Sequence, residues 1–323
     1  MKALLLSPAH APRLDLAHDE PARVAGEATI AVGVAGVCDT DLQLARGYMG
    51  FAGVPGHEFV GTVVDADDRA WLGRRVVADI NAGCGRCDDC TRAPTGFAGH
   101  HCAARSVLGI VGRGGAFAER LTVPERCLRA VPDDVPDDLA VFAEPLAAAL
   151  HVEDELSGPS SIAVLGDGKL GLLIALALHA RGHEVTLIGR HEHKLAIARA
   201  SGIACALEAE ARDAAPARDA VVEATGNAAG LALALALCRP RGTVVLKTTV
   251  HDPLTIDLAP AVVHELRLVG SRCGDLGRAL GVLSSGALDP RPLIEARYPL
   301  SSVERAFAHA GRRGALKVLV DVT

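Results

Sequence analysis

The sequence predicts an α/β protein in which a β-rich domain precedes a doubly wound parallel sheet. Three observations predict it. Residues 1–142 are dense in Gly and Pro with short Val-rich runs, residues 161–270 alternate strand-like and helical segments, and a glycine-rich turn stands where the alternation begins. The chain has 323 residues, which at roughly 150 per domain gives about two domains. Apolar residues make up 50% of it and aromatics only 3%, so the core has to be built from Ala, Val, Leu and Ile.

In the first region, residues 29–34, 59–64, 75–80 and 118–123 read as short strands between turns. The character changes near residue 142. Beyond it, 162–165 reads as strand, 170–180 as helix, 184–188 as strand, 193–201 as helix, 220–223 as strand, 228–238 as helix and 243–246 as strand. Strict alternation of this kind gives a parallel sheet with helices on both faces. Residues 231–237 alternate Leu and Ala, which is the period of a strand. Both are strong helix formers, however, and a parallel pair needs a crossover here, so the segment is read as a helix. After residue 289, Pro290, Pro292 and Pro299 interrupt the pattern. A short helix at 303–310 and a last strand at 317–320 follow, and this tail is expected to return to the first domain. The expected division is a first domain over 1–142, a nucleotide domain over 143–285 and a return segment over 286–323.

The formal net charge is −6 with acids and bases intermixed, so the basic stripe of a nucleic-acid binder is missing. The longest apolar run, residues 170–178, has nine residues, well below the roughly 18 of a spanning helix. The opening Ala3-Leu4-Leu5-Leu6 is likewise shorter than a secretory core. A cytoplasmic chain with no membrane segment is the expectation.

The alternation opens with Ser161-Ile162-Ala163-Val164-Leu165 followed by Gly166-Asp167-Gly168-Lys169-Leu170-Gly171 and an apolar helix. Glycines alone mark ordinary turns. Between a strand and a helix, GxGxxG is the Rossmann dinucleotide loop. Gly166 permits the tight turn, Gly168 lets backbone N–H groups approach a pyrophosphate, and Gly171 lets helix and strand pack closely. An NAD site carries an acid about 20 residues on, at the tip of the second strand, to bind the ribose 2′-OH. Here the tip is Gly189-Arg190-His191, with Lys194 after it and no acid. Arg offers paired donors to phosphate oxygens, so NADP is expected in preference to NAD.

Nine cysteines are present. For Cys127, Cys205, Cys238 and Cys273 taken singly, a small buried hydrophobe is the simplest reading. Cys38 differs, because it stands in Gly36-Val37-Cys38-Asp39-Thr40-Asp41 ahead of Gly56-His57-Glu58 and, further on, Ala143-Glu144-Pro145-Leu146. A catalytic zinc takes about three protein ligands and keeps one position open. Cys38, His57 and one carboxylate meet that need. His57 and Glu58 are adjacent and on a regular strand would face opposite ways, so both reach one ion only where the backbone bends. Glu58 and Glu144 therefore compete for the third place. A second cluster, Cys84-x2-Cys87-x2-Cys90 and then Cys102 after eleven residues, has the composition of a closed structural zinc site.

Taken together, these pieces resemble the zinc-dependent alcohol dehydrogenases of the medium-chain dehydrogenase/reductase superfamily, and among them the polyol and sorbitol dehydrogenase branch. Glu223-Ala224-Thr225-Gly226 extends the match along nearly the whole chain. The resemblance implies a GroES-like catalytic domain beside the Rossmann domain. It further implies zinc on Cys38, His57 and a carboxylate, Thr40 bonding the substrate hydroxyl, and Asp41 orienting His57 from behind. It also implies that Ala224, Thr225 and Gly226 lie beside the cofactor, with Lys247, Thr248, Ser271, Arg272 and Cys273 close to its nicotinamide half. A homodimer or homotetramer acting on a small alcohol or ketone is what the family suggests. Two departures stand out. Gln43 occupies the place where the family often has a histidine. The gap before Cys102 is longer than usual, at residues 93–99, so His100 and His101 are alternatives for the fourth ligand. The competing readings are a zinc-independent quinone or enone reductase of the same fold and a non-enzymatic NADP-binding sensor.

Overall fold

In the computed structural model the described residues are 1–322 apart from 8–9, 95, 157, 159–160, 213–214, 216 and 250–254. The chain forms two compact units, one from Met1–Glu144 with Asp275–Thr323, the other from Pro145–Gly274. The return to the first unit thus begins before residue 286. The helix Leu276–Ser284 accounts for this: its Ser284 hydroxyl donates to Asp134 at 2.6 Å, within the first unit. Among the described residues no helix is long and apolar enough to cross a membrane.

The first unit is built on a seven-stranded sheet. Its spatial order is Ile294–Pro299, Lys317–Asp321, Glu27–Gly36, Glu58–Asp65, Arg75–Ala78 and Leu128–Ala130, with Arg120–Pro124 also on Glu27–Gly36. Glu27–Gly36 sits in the middle because its apolar residues follow the period of a half-buried strand: Ala28, Ile30, Val32 and Val34 are buried, while Thr29, Ala31 and Gly33 are less so. The final strand is different. Lys317–Val320 is buried residue after residue, the mark of a strand covered on both faces. It runs antiparallel to the central strand, with Leu319 opposite Gly36 and Val320 opposite Ala35. Phe117 and Phe307 meet edge to face at 5.1 Å and tie the helix Val303–Ala310 to this core.

The second unit is a six-stranded parallel sheet. Its spatial order is Ala204–Leu207, Glu184–Gly189, Ser161–Leu165, Arg218–Glu223, Cys238–Leu246 and Arg267–Gly270. Counted within the unit this is 3-2-1-4-5-6, and the order reverses between Ser161–Leu165 and Arg218–Glu223. In open sheets of this kind ligands bind outside the strand ends at that reversal. The helix Ala228–Leu237 takes up the Leu-Ala repeat; Leu233, Ala234, Leu235 and Leu237 are buried in the core with Val221 and Val244.

Candidate active site

The first unit brings Cys38, His57 and Glu58 together: one ligand atom from each lies within 4.8 Å of the others. Cys38 caps the short helix Asp39–Ala45, and His57 immediately precedes the strand Glu58–Asp65. The bend that lets adjacent residues converge falls at Gly56, whose φ of +106° is open to glycine. A Cβ there would also lie 2.9 Å from the Ala116 and Phe117 amides. Gly36 gives Glu58 its room, since a Cβ at that position would stand 2.5 Å from Glu58 Oε2.

Asp41, fully buried, organises the pocket. Its carboxylate accepts from the Cys38 amide at 2.9 Å and the Gly56 amide at 3.1 Å. Its Oδ1 lies 3.4 Å from His57 Nδ1, at ion-pair range, although Nδ1 lacks a well-formed hydrogen bond. Burial, the largest influence, disfavours a charged His57. Asp41 and Cys38 outweigh it and hold the imidazole pKa well above the ordinary value. Thr40 Oγ1 is 3.9 Å from Cys38 Sγ. Glu144 is not a member of the close trio. Its carboxyl is pushed up to about 7, first by burial, with His57 opposing and Glu58 adding repulsion.

A thiolate, an imidazole and a carboxylate in one buried pocket are the donor types of a catalytic zinc, whose 2.0–2.3 Å bonds put ligand atoms roughly 3–4 Å apart. The electrostatics agree, because the pocket presses even a histidine to carry positive charge. Zinc therefore fits the residues present.

The second cluster is also assembled. Ligand atoms of Cys84, Cys87, Cys90 and Cys102 all lie within 4.8 Å of one another. The Cys84 amide donates to Cys102 Sγ at 3.4 Å, and Cys87 and Cys90 sulfurs are 3.5 Å apart. Amides of Arg86 and Cys87 pull the Cys84 thiol down to about 6. The Cys90 amide lowers Cys87 too, but sharing protons with the Cys90, Cys102 and Cys84 thiols raises it to about 12. Four sulfurs competing for protons are the donor set that a dication would satisfy. His100 is engaged elsewhere, with Nε2 at 2.7 Å from Asp79, and His101 is exposed. Residue 95, within the long gap, lies outside the described residues.

In the second unit the loop Gly166–Gly171 sits at the sheet reversal. Gly166 has φ +111°, and a Cβ on it would be 2.7 Å from the Ala224 carbonyl oxygen. A Cβ on Gly171 would lie 1.9 Å from the Gly166 oxygen, whereas Gly168 faces open space. Gly168 caps the helix Lys169–Ala180 with no side chain serving its first amides. A cradle of bare amides with space above it fits a pyrophosphate. Lys169 and Asp167 are buried and Leu170 half-buried. Across the reversal, Glu223 accepts from the amides of Thr225 at 2.7 Å and Gly226 at 3.1 Å, and from Thr248 Oγ1 at 2.9 Å. Lys247 Nζ donates to Ser271 Oγ at 3.1 Å and the Arg272 carbonyl at 2.6 Å. Cys273 is half-buried.

Residues 24–133 match the family described as Alcohol dehydrogenase GroES-like domain, and residues 170–284 match Zinc-binding dehydrogenase. An L-threonine 3-dehydrogenase of Streptomyces coelicolor is 31% identical, with 100% of each chain covered. The chain belongs to the zinc-dependent alcohol dehydrogenase family. A D-altritol 5-dehydrogenase of Agrobacterium fabrum is 31% identical over 86% of this dehydrogenase and 87% of its own length. Two solved structures superpose with TM-scores of 0.87. One is a putative zinc-binding dehydrogenase from Sinorhizobium meliloti bound to NADP, 28% identical, with 99% of both chains covered. The other is the rspB alcohol dehydrogenase of E. coli CFT073 complexed with NADH, 25% identical, covering 100% of this chain and 99% of that one.

One residue of this dehydrogenase's pocket escaped the sequence reading. Lys317 is 3% exposed and its ammonium donates to Glu58 Oε2. The signal was available: a single Lys inside the apolar run Leu316-Lys317-Val318-Leu319-Val320, where an unpaired charge would be costly.

Proposed function

We propose that the chain transfers hydride between a secondary alcohol or polyol, or the matching ketone, and NAD(P), using zinc held by Cys38, His57 and Glu58. The observation that carries this reading is the convergence of those three side chains in a buried pocket. Bound there, zinc supplies the Lewis acidity that makes an alcohol proton labile or polarises a carbonyl. Thr40, beside Cys38, would hydrogen-bond the substrate hydroxyl and relay its proton, giving up its own hydroxyl proton towards the cofactor ribose and solvent as it takes the substrate's. Asp41 fixes the Cys38 backbone and steadies His57, the supporting role that ligating histidines need. Lys317 neutralises Glu58. Glu144, with its pKa raised to about 7 by burial, is about half protonated near pH 7 and so carries a reduced charge beside Glu58. The names of the two relatives denote oxidation of secondary alcohols, which supports that substrate class. Cys84, Cys87, Cys90 and Cys102 hold a second, structural zinc.

The loop Gly166–Gly171 binds the cofactor pyrophosphate, Ala224, Thr225 and Gly226 flank it, and Lys247, Thr248, Ser271, Arg272 and Cys273 serve the nicotinamide half. Arg190, 56% exposed at its side chain, supports the use of NADP by offering donors to a 2′-phosphate, with His191 and Lys194 following. Exposed Val262 and Val263 and the edge strand Arg267–Gly270 with its exposed Leu268 support self-association of a cytoplasmic homo-oligomer. Screening secondary alcohols, polyols and cyclitols with NADP+ and NAD+, before and after chelation, tests the assignment. Turnover that vanishes on chelation and returns with zinc is expected. Turnover indifferent to metal would point instead to a zinc-independent quinone or enone reductase, and none with any substrate to a sensor.

A further inference from the structure

The tip of the strand Glu184–Gly189 has no acid of its own, but an acid stands there. Asp167, the second residue of the glycine-rich loop, is 6% exposed. Its Oδ2 accepts from the backbone amides of both Arg190 and His191 at 2.6 Å. His191 Nδ1 is 3.0 Å from each carboxylate oxygen. A Cβ on Gly189 would lie 2.5 Å from Asp167 Cβ and 2.6 Å from its Oδ2. The volume that an acidic side chain at position 189 would occupy is therefore already filled by an acidic side chain arriving from another element.

We propose that Asp167 is the specificity-determining residue at the cofactor's 2′ position, accepting a ribose hydroxyl and opposing a 2′-phosphate. The proposal rests on the dinucleotide reading of this loop. Oδ2 is committed to two amides, while Oδ1 meets His191 alone among the described residues and keeps acceptor capacity for a hydroxyl. The two amides at 190 and 191 are also the tip's own donors for a phosphate, and Asp167 has already taken them. Burial raises the Asp167 pKa, but the His191 side chain and the two amides outweigh it and keep the carboxyl ionised. A 2′-phosphate would have to enter beside a buried anion. Arg190 pulls the other way, yet its Nε lies 3.4 Å from Glu208, so part of its charge is spent. Asp167 thus admits NAD and narrows the advantage that Arg190 gives NADP. It also accounts for the glycine at 189, where a side chain would collide.

Calorimetric Kd values for NAD+ and NADP+, with no substrate and no turnover, test this. Asp167→Asn keeps the shape and can still accept from the amides, but loses the charge. The ratio of NADP+ to NAD+ affinity should rise about tenfold over wild type. Asp167→Ala with Gly189→Asp returns the acid to the strand and should bring the ratio back to or below the wild-type value, which also covers the case in which Asp167→Asn does not fold. A ratio in Asp167→Asn within threefold of wild type overturns the proposal, as does a double variant that remains as NADP-selective as an uncharged tip. If wild type binds neither dinucleotide, it is the cofactor reading of the loop that fails.

Discussion

Replacing Lys317 with Met removes the cation that neutralises Glu58 and leaves the space filled. The side chains are 4% and 2% exposed, so neither charge has water to fall back on. The ammonium stands 5.8 Å from the Phe142 ring centroid, and burial, the largest influence on it, works against its charge. Glu58 and Cys38 outweigh that burial and raise its pKa. A raised lysine pKa means that the stabilisation is fully present below the unfolded value, roughly 10.4, and fades as pH rises through the folded one. At pH 7 it is intact. Breaking a buried pair by deleting one partner costs about 3–5 kcal/mol, because the other charge is stranded. In a unit of roughly two hundred residues, about 2–4 °C of Tm goes with each kcal/mol, so the loss should be about 6–20 °C. The assay is thermal unfolding by circular dichroism at pH 7, on chelated wild type, Lys317→Met, Glu58→Gln and the double variant. The double variant should be more stable than the sum of the single losses predicts, since a neutral pair strands nothing. Zinc gives Glu58 a second cation, so the loss in zinc-loaded protein should be smaller. A Lys317→Met protein melting within 2 °C of wild type, or strict additivity in the cycle, would refute the reasoning.

Cys38→Ser or His57→Ala should lower turnover at least about hundredfold and remove one zinc, while calorimetric dinucleotide affinity stays unchanged; retained turnover would exclude the zinc mechanism. Cys87→Ala should lose one zinc per chain by mass spectrometry and lower Tm, since a structural metal contributes folding energy. Zinc on the four cysteines should also be held less tightly at lower pH, since protons compete with the metal for the thiolates; a chromophoric chelator at pH 5 and 7.5 reads this, and equal release at both would count against thiolate ligation. Gly171→Ala sets a Cβ 1.9 Å from the Gly166 oxygen, which only backbone movement relieves. Dinucleotide affinity should drop by about tenfold or more with zinc content unaltered.

The sequence by itself determined the alternation that makes the parallel sheet, because a period of two and a period of 3.6 are local properties of the chain. It also determined which residue types carry the chemistry: the thiols, His57 and the glycines at 166, 168 and 171 are read from spacing alone. What it left open was which of two distant carboxylates joins Cys38 and His57. Only the bend at Gly56 and the close approach at Gly36 put Glu58 in that trio, and both depend on neighbouring strands rather than on residues next in line. Cys102 joins the cluster for a similar reason, since Gly99 packs on Gly83, with the Gly99 Cα and the Cys90 sulfur less than 3 Å from where a Cβ on Gly83 would be. Lys317 reaches Glu58 through the pairing of the last strand with the central one, a contact across 259 positions of chain. Asp167 is the sharpest instance. Counting along the chain finds no acid at the strand tip, yet a carboxylate 23 residues earlier fills it, because a parallel sheet brings the ends of successive strands side by side.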